Sequence, residues 1–173
     1  HMSIIVKPEG AQKWTRYDVV GWGNPVRKNA YAADALWYGN TPRVVFRLEG
    51  AEAEKLIPAI ETTIANYPHQ RSGTYHVWPG PNSNTFVAWV VRNTPGFDAE
   101  LPPVAVGKDW LGSGLSFDRA PSKTGWTVSI AGYVGGTMAW EEGLELHLLG
   151  STIGVDLNDL AIKLPALGKI GFY

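Results

Sequence analysis

Two short segments constrain this chain more than anything else in it. Leu144, Leu146 and Leu148 alternate with Glu145 and His147, and Trp126, Val128 and Ile130 alternate with Thr127 and Ser129. A period of two is the signature of a strand with two unlike faces, so both segments are expected to be half-buried β-strands in an antiparallel sheet. Gly132, Gly135 and Gly136 fall between them and predict a bulged or sharply turned connection. Thr152 to Leu157 and Ala161 to Leu164 extend the pattern into a C-terminal meander.

The first half has a different texture. Ile4 to Lys7, Arg16 to Trp22 and Arg43 to Leu48 are β-rich runs separated by Gly, Pro and Asn. Ala51 to Tyr67 carries Leu56, Ile57, Ile60 and Ile64 at helical spacing, with Glu52, Glu54, Lys55 and Glu61 opposite them. Pro58 removes a backbone donor there and should kink or offset a turn. A second helix over Ser83 to Asn93 presents Phe86, Val87, Val90 and Val91 on one face, and Asn82, Ser83 and Asn84 are residue types that cap a helix start. The fold class is therefore α+β: mostly antiparallel sheet with two main helices on one side. At 173 residues one domain spanning 1–173 is expected.

Several classes of chemistry are excluded by what the chain lacks. It has no Cys, so no thiol nucleophile, disulfide, thiolate zinc site or iron–sulfur cluster can form. The four His do not lie at spacings that pair around a metal, and Asp156 with Asp159 is too sparse for a calcium loop. No metal and no cofactor is called for. Fifteen basic and sixteen acidic residues give a net charge of −1, which leaves no basic footprint for nucleic acid. Charged residues make up only 18% of the chain, so the surface must be rich in neutral polar, glycine and aromatic groups. The longest uncharged stretch, Thr124 to Trp140, is too short and too polar for a membrane span. His1-Met2 reads as a cloning-site remnant, with His1 either a vector residue or coincident with a native histidine, so a signal or anchor upstream of Ser3 is expected to have been removed.

The sharpest local feature is Trp78-Pro-Gly-Pro-Asn-Ser-Asn-Thr-Phe86, a rigid loop that delivers Ser83 to the first turn of the second helix. Free amides and the helix dipole favour an anion there, which suits a nucleophile with its oxyanion donors around Ser83 to Thr85. The same residues also suit an ordinary cap, and both readings stand at this level. A serine needs a hydrogen-bonded base. His76, in an apparent strand seven residues upstream, is one candidate; His69 reads as a solvated loop residue and His147 as a surface or partly satisfied strand residue. Trp22, in Gly21-Trp22-Gly23, and Trp37 with Tyr38, in Leu36-Trp-Tyr-Gly-Asn40, sit beside glycines and could wall a groove, although packing is their commoner role.

Val6-Lys7-Pro8, Thr15-Arg-Tyr-Asp-Val-Val-Gly-Trp-Gly23, Trp37-Tyr-Gly-Asn40, Trp78 to Val87, Val106-Gly-Lys-Asp109, Glu142-Gly-Leu-Glu145 and Lys163-Leu-Pro165 together resemble the bacterial family DUF3750. That resemblance spans nearly the whole chain and implies a Gram-negative envelope protein with an N-terminal hydrophobic segment. Asn82-Ser83-Asn84-Thr85-Phe86 is more distantly similar to the Asn-Cys-Asn-x-Phe motif of circularly permuted papain-like hydrolases, the NlpC-type amidases and PPPDE-type peptidases. This second resemblance implies a permuted papain-like core, with Ser83 in the thiol position and His1 nearest the place of the early-strand histidine. The expected function is an envelope-associated hydrolase of an amide or ester, using Ser83, His1 or His76, and Asn82, Asn84 and Thr85. The alternative is a catalytically silent module that holds a peptide, glycan or lipid fragment in a cleft of Trp22, Tyr38 and Trp78.

Overall fold

The structure is a computed structural model, and it describes residues 1–171. Its elements run β1 (Ile4–Val6), β2 (Thr15–Val19), β3 (Val26–Lys28), α1 (Ala51–Ala65), α2 (Ser83–Asn93), β4 (Leu115–Arg119), β5 (Gly125–Ile130), β6 (Val134–Ala139), β7 (Gly143–Leu148), β8 (Ser151–Asp156), β9 (Ala161–Leu164) and β10 (Gly168–Gly171). Strands β1 to β3 form one antiparallel sheet, and β4 to β10 form a seven-stranded meander in which each strand pairs with the next. The α+β class read from the sequence is the observed one.

The hydrophobic core lies entirely in the first part of the chain. Ile4, Val6, Tyr17 and Val19 of the small sheet meet Leu56, Ile57, Ile60 and Ile64 of α1 and Phe86, Val87, Val90 and Val91 of α2. Both helices bury the faces that their spacing defined. Phe86 is fully buried and meets Tyr67 edge to face at 5.0 Å. The segment Phe97, Ala99 and Leu101 closes this core on the side toward the meander.

The large sheet adds no side chain to that core, because its inward face is polar. Thr127, Ser129, Thr137, Glu145, His147, Thr152 and Lys163 are all buried, while Trp126, Val128, Ile130, Leu144, Leu146, Leu148, Ile153, Val155 and Ile162 are exposed. Four charges bind the inward face to the segment preceding β4. Lys108 Nζ lies 2.8 Å from Glu145 Oε2 and donates to the Leu101 carbonyl at 2.9 Å. Lys163 Nζ lies 2.9 Å from Glu145 Oε1 and 2.5 Å from Glu100. Buried ions persist only when paired and hydrogen-bonded in this way. Desolvation works against ionisation of Glu145, but the two ammonium groups outweigh it and hold its carboxyl below the ordinary value.

His147 shows how far the inward face departs from a solvent-facing strand. Of the two readings open for it, a surface residue or a partly satisfied strand residue, the first is corrected: it is 1% exposed, with Nε2 2.8 Å from Thr137 Oγ1 and Nδ1 2.9 Å from Thr152 Oγ1. Burial, helped by the nearby Lys108 charge, pushes its imidazole down to about 3, so the ring is neutral. Three further expectations need correction. Arg43 to Leu48 forms no strand, since its exposed apolar residues find no partner strand to pair with. Gly132 to Gly136 is not a mere connection: Gly135 and Gly136 lie within β6, paired with Ser129 and Val128 on one side and His147 and Leu146 on the other. Glycine is required at position 135, where a Cβ would come within 2.6 Å of the Val128 carbonyl oxygen. Finally, α1 ends at Ala65 rather than Tyr67, with Tyr67 turned into the core.

Candidate functional site

The loop before α2 and the first turn of that helix are built around Asn82. Its Oδ1 accepts from the Asn84 and Thr85 amides at 2.8 and 3.0 Å, while Thr85 Oγ1 accepts from the Asn82 amide at 2.6 Å, completing a capping box. Asn82 Nδ2 donates to the carbonyls of Val77 and Val106, and Asn84 Nδ2 also donates to Val106. The peptide bonds Trp78–Pro79 and Gly80–Pro81 are cis. Gly80 has φ +145°, and a Cβ there would fall 2.9 Å from the Thr85 methyl and 3.0 Å from the Trp110 ring.

This geometry separates the roles that the sequence left together. The cap belongs to Asn82, and its bonds occupy the Asn84 and Thr85 amides that were expected to serve as oxyanion donors. Ser83 is buried, at 4% exposure, and its hydroxyl takes no part in the cap. It lies instead beside Tyr75. The Tyr75 phenol is raised by burial first and then by Tyr38, and the Ser83 hydroxyl opposes the rise. Gly21 permits this approach, since a Cβ at that position would sit 2.9 Å from Tyr75 Cδ1.

His1 is tightly held at the start of the small sheet. Its Nε2 lies 2.9 Å from Asp18 Oδ1, and its ring stacks on Trp37 with centroids 3.7 Å apart and planes within 10°. Asp18 is fully buried on β2, where Arg16 donates to it through Nε at 2.9 Å and Nη2 at 3.0 Å. Arg16 also donates Nη1 to the Ala32 carbonyl. A carboxylate only accepts, so Asp18 fixes the imidazole proton on Nε2 and leaves Nδ1 as the basic nitrogen. Aromatic rings extend from this pair: Trp22 is parallel to Trp37 at 6.5 Å, and Tyr38 meets Trp37 edge on at 5.6 Å. Trp22 and Tyr38 are exposed. No imidazole nitrogen bonds the Ser83 hydroxyl among the described residues.

The other expected site residues lie elsewhere. His76 is an exposed loop residue rather than part of a strand, held by its amide bond to the Pro81 carbonyl. Trp78 packs edge to face on Tyr133 at 4.9 Å and against Gly150, at turns of the meander, and so joins a different cluster from Trp22 and Tyr38. His69 meets Tyr67 and Trp110 edge on, and burial lowers its imidazole.

A match to the family described as "Protein of unknown function (DUF3750)" covers residues 1–110. The chain belongs to the DUF3750 family. That span includes His1, Arg16, Asp18, Trp37 and Ser83, and with them every contact that positions the pair and the serine. No curated protein and no solved structure matches the chain. Among the described residues of this DUF3750 member, no helix is long and apolar enough to cross a membrane.

Sequence reasoning missed Arg16, Asp18 and Tyr75 as site residues and offered Trp37 only as a groove wall. A signal for the first two was present: opposite charges at i and i+2 share one face of a strand whose other face carries Tyr17 and Val19. Two charges placed so close on a short, otherwise apolar strand are best accommodated as a pair.

Proposed function

We propose that this DUF3750 domain is an envelope-associated hydrolase of an amide or ester, with Ser83 as nucleophile, His1 as general base and Asp18 as the group that orients His1. The carrying observation is the His1–Asp18 pair, stacked on Trp37 and fixed by Arg16, with Nδ1 left basic. Ser83 Oγ would attack the substrate carbonyl while its proton passes to His1 Nδ1. The Ser83 amide, the member of the first turn not engaged by Asn82, would face the developing oxyanion. The protonated imidazole would then give its proton to the leaving amine or alcohol, and water would hydrolyse the acyl-serine by the same route. Catalytic hydrogen bonds commonly tighten only when substrate is bound, which is the step that would bring His1 to Ser83.

The test is labelling by a serine-directed fluorophosphonate. Wild type is expected to label, Ser83→Ala not at all, and Asp18→Asn far more slowly. Equal labelling of wild type and Ser83→Ala overturns the proposal.

A second reading has its own support. With the Asn84 and Thr85 amides engaged, the turn offers fewer oxyanion donors than an acyl-transfer site normally uses, while Trp22 and Tyr38 stand exposed beside the His1–Trp37 stack. Under it the domain holds a peptide, glycan or lipid fragment of the envelope without cleaving it. Trp22→Ala would then abolish ligand retention while the fold persists, and unchanged retention refutes that reading.

A further inference from the structure

The seven-stranded sheet has one face with almost no polar side chain, and that face is turned to solvent. Pairing aligns its outward residues into ladders across the strands. One runs Trp126, Met138, Leu144, Val155, Ile162 and Ile170. The next runs Phe117, Val128, Gly136, Leu146 and Ile153, and a third runs Leu115, Ile130, Val134, Leu148 and Ser151. Arg119, at the end of edge strand β4, is the one charge on this outward face among the described residues, and it lies 3.9 Å over the Trp126 ring. A continuous apolar face of this extent is far more than scattered surface hydrophobicity, and a sheet normally buries such a face against another layer.

We infer that a second copy of this chain covers it, in a two-fold, face-to-face sheet sandwich. The size fits. Seven strands of up to six residues, at about 4.8 Å between strands and about 3.3 Å per residue, span roughly 30 by 20 Å. Two such faces bury about 1,200 Å² before side-chain relief is added, which reaches the range of stable interfaces at about 1,200–2,000 Å².

The relief of the face is also self-complementary. Toward one edge, Leu144, Leu146, Ile153, Val155, Ile162 and Leu164 line an open groove of about 520 Å³. Toward the other edge, Phe117 and Trp126 stack at 4.7 Å into the bulkiest projection of the sheet. A two-fold axis parallel to the strands, over β7 and midway between the sheets, lays β4–β5 of each copy over β9–β10 of the other. The projection of each copy then enters the groove of its partner along the β9 wall, twice and equivalently. The one charge of the face, Arg119, lies on edge strand β4, so the arginines of the two copies fall at opposite edges of the sandwich and no like charges meet.

Sedimentation velocity of the full chain across the micromolar range tests this. Wild type is expected to sediment as a dimer. Leu146→Glu, at the centre of the face, is expected to weaken association by about a hundredfold or more, because the dimer would bury an unpaired carboxylate. Val128→Lys should do the same independently. The double substitution F117A/W126A is expected to cost about tenfold or more by emptying both grooves. All these side chains face solvent in the isolated chain, so circular dichroism should match wild type. Leu36→Glu, exposed but outside the sheet, should leave the dimer intact. A wild-type monomer overturns the inference, as does a dimer indifferent to both Leu146→Glu and Val128→Lys. A monomer that instead binds neutral phosphatidylcholine vesicles through this face also overturns it, in favour of lipid as the covering partner.

Discussion

Acid is expected to destabilise this protein through His147, well before its carboxylates titrate. The ring is buried on the inward face of the meander among Lys108, Lys163, Glu145 and the hydroxyls of Thr137 and Thr152, and it binds a proton only near pH 3 when folded. In the unfolded chain it binds one at its ordinary value of 6.5. Between those values the unfolded state carries more protons, so stability must fall as the pH falls through this window. The contribution is fully present above pH 6.5. Each pH unit below 6.5 costs about 1.4 kcal/mol, so that moving from about pH 7 to about pH 5 costs about 2 kcal/mol from this one group. Urea denaturation of wild type and His147→Gln at the two pH values isolates the effect, since the variant shares every other titrating group. Glutamine retains a donor and an acceptor for the two threonines. Wild type is expected to lose about 2 kcal/mol more than the variant over this interval. Equal losses, or a folded-state imidazole titrating near its ordinary value by NMR, would refute the argument.

Three other substitutions probe the structural assignments. Asn82→Ala should destabilise by about 1–2 kcal/mol, because it removes the cap, whereas Ser83→Ala should stay within about 0.5 kcal/mol; the reverse order in thermal or urea unfolding would return the cap to Ser83. Glu145→Gln leaves Lys108 and Lys163 facing a neutral amide and should cost about 3–5 kcal/mol, read from denaturant midpoints. Phe86→Ala opens a cavity against Tyr67 at the centre of the core and should cost about 3–5 kcal/mol by the same measurement.

Local chemistry was legible in the sequence wherever neighbours along the chain carried it. Helix α2 begins and ends at the residues its pattern indicated, since an Asn cap and an apolar stripe act within a few residues of one another. Strands β5, β7, β8 and β9 followed from alternation in the same way. The candidate site was legible only in parts. Ser83 and His1 could be named, but Asp18, Arg16, Trp37 and Tyr75 become their neighbours only when β2 and the following loops fold back. Strand β6 escaped because glycine in a strand is chosen for the close approach of neighbouring strands, which sequence does not display.

The sequence by itself determined that the second half would be a sheet with one apolar and one polar face. Period two is symmetric, however, and says nothing about which face turns inward. Only the tertiary structure decided that Thr127, Thr137, Glu145, His147 and Lys163 are inside and the leucines outside. The physical reason lies in what the sheet meets: Lys108 and the Leu101 carbonyl, approaching from the segment before β4, need polar partners away from water. Glu145 and Lys163 satisfy that need, and the apolar ladders are thereby left on the opposite face.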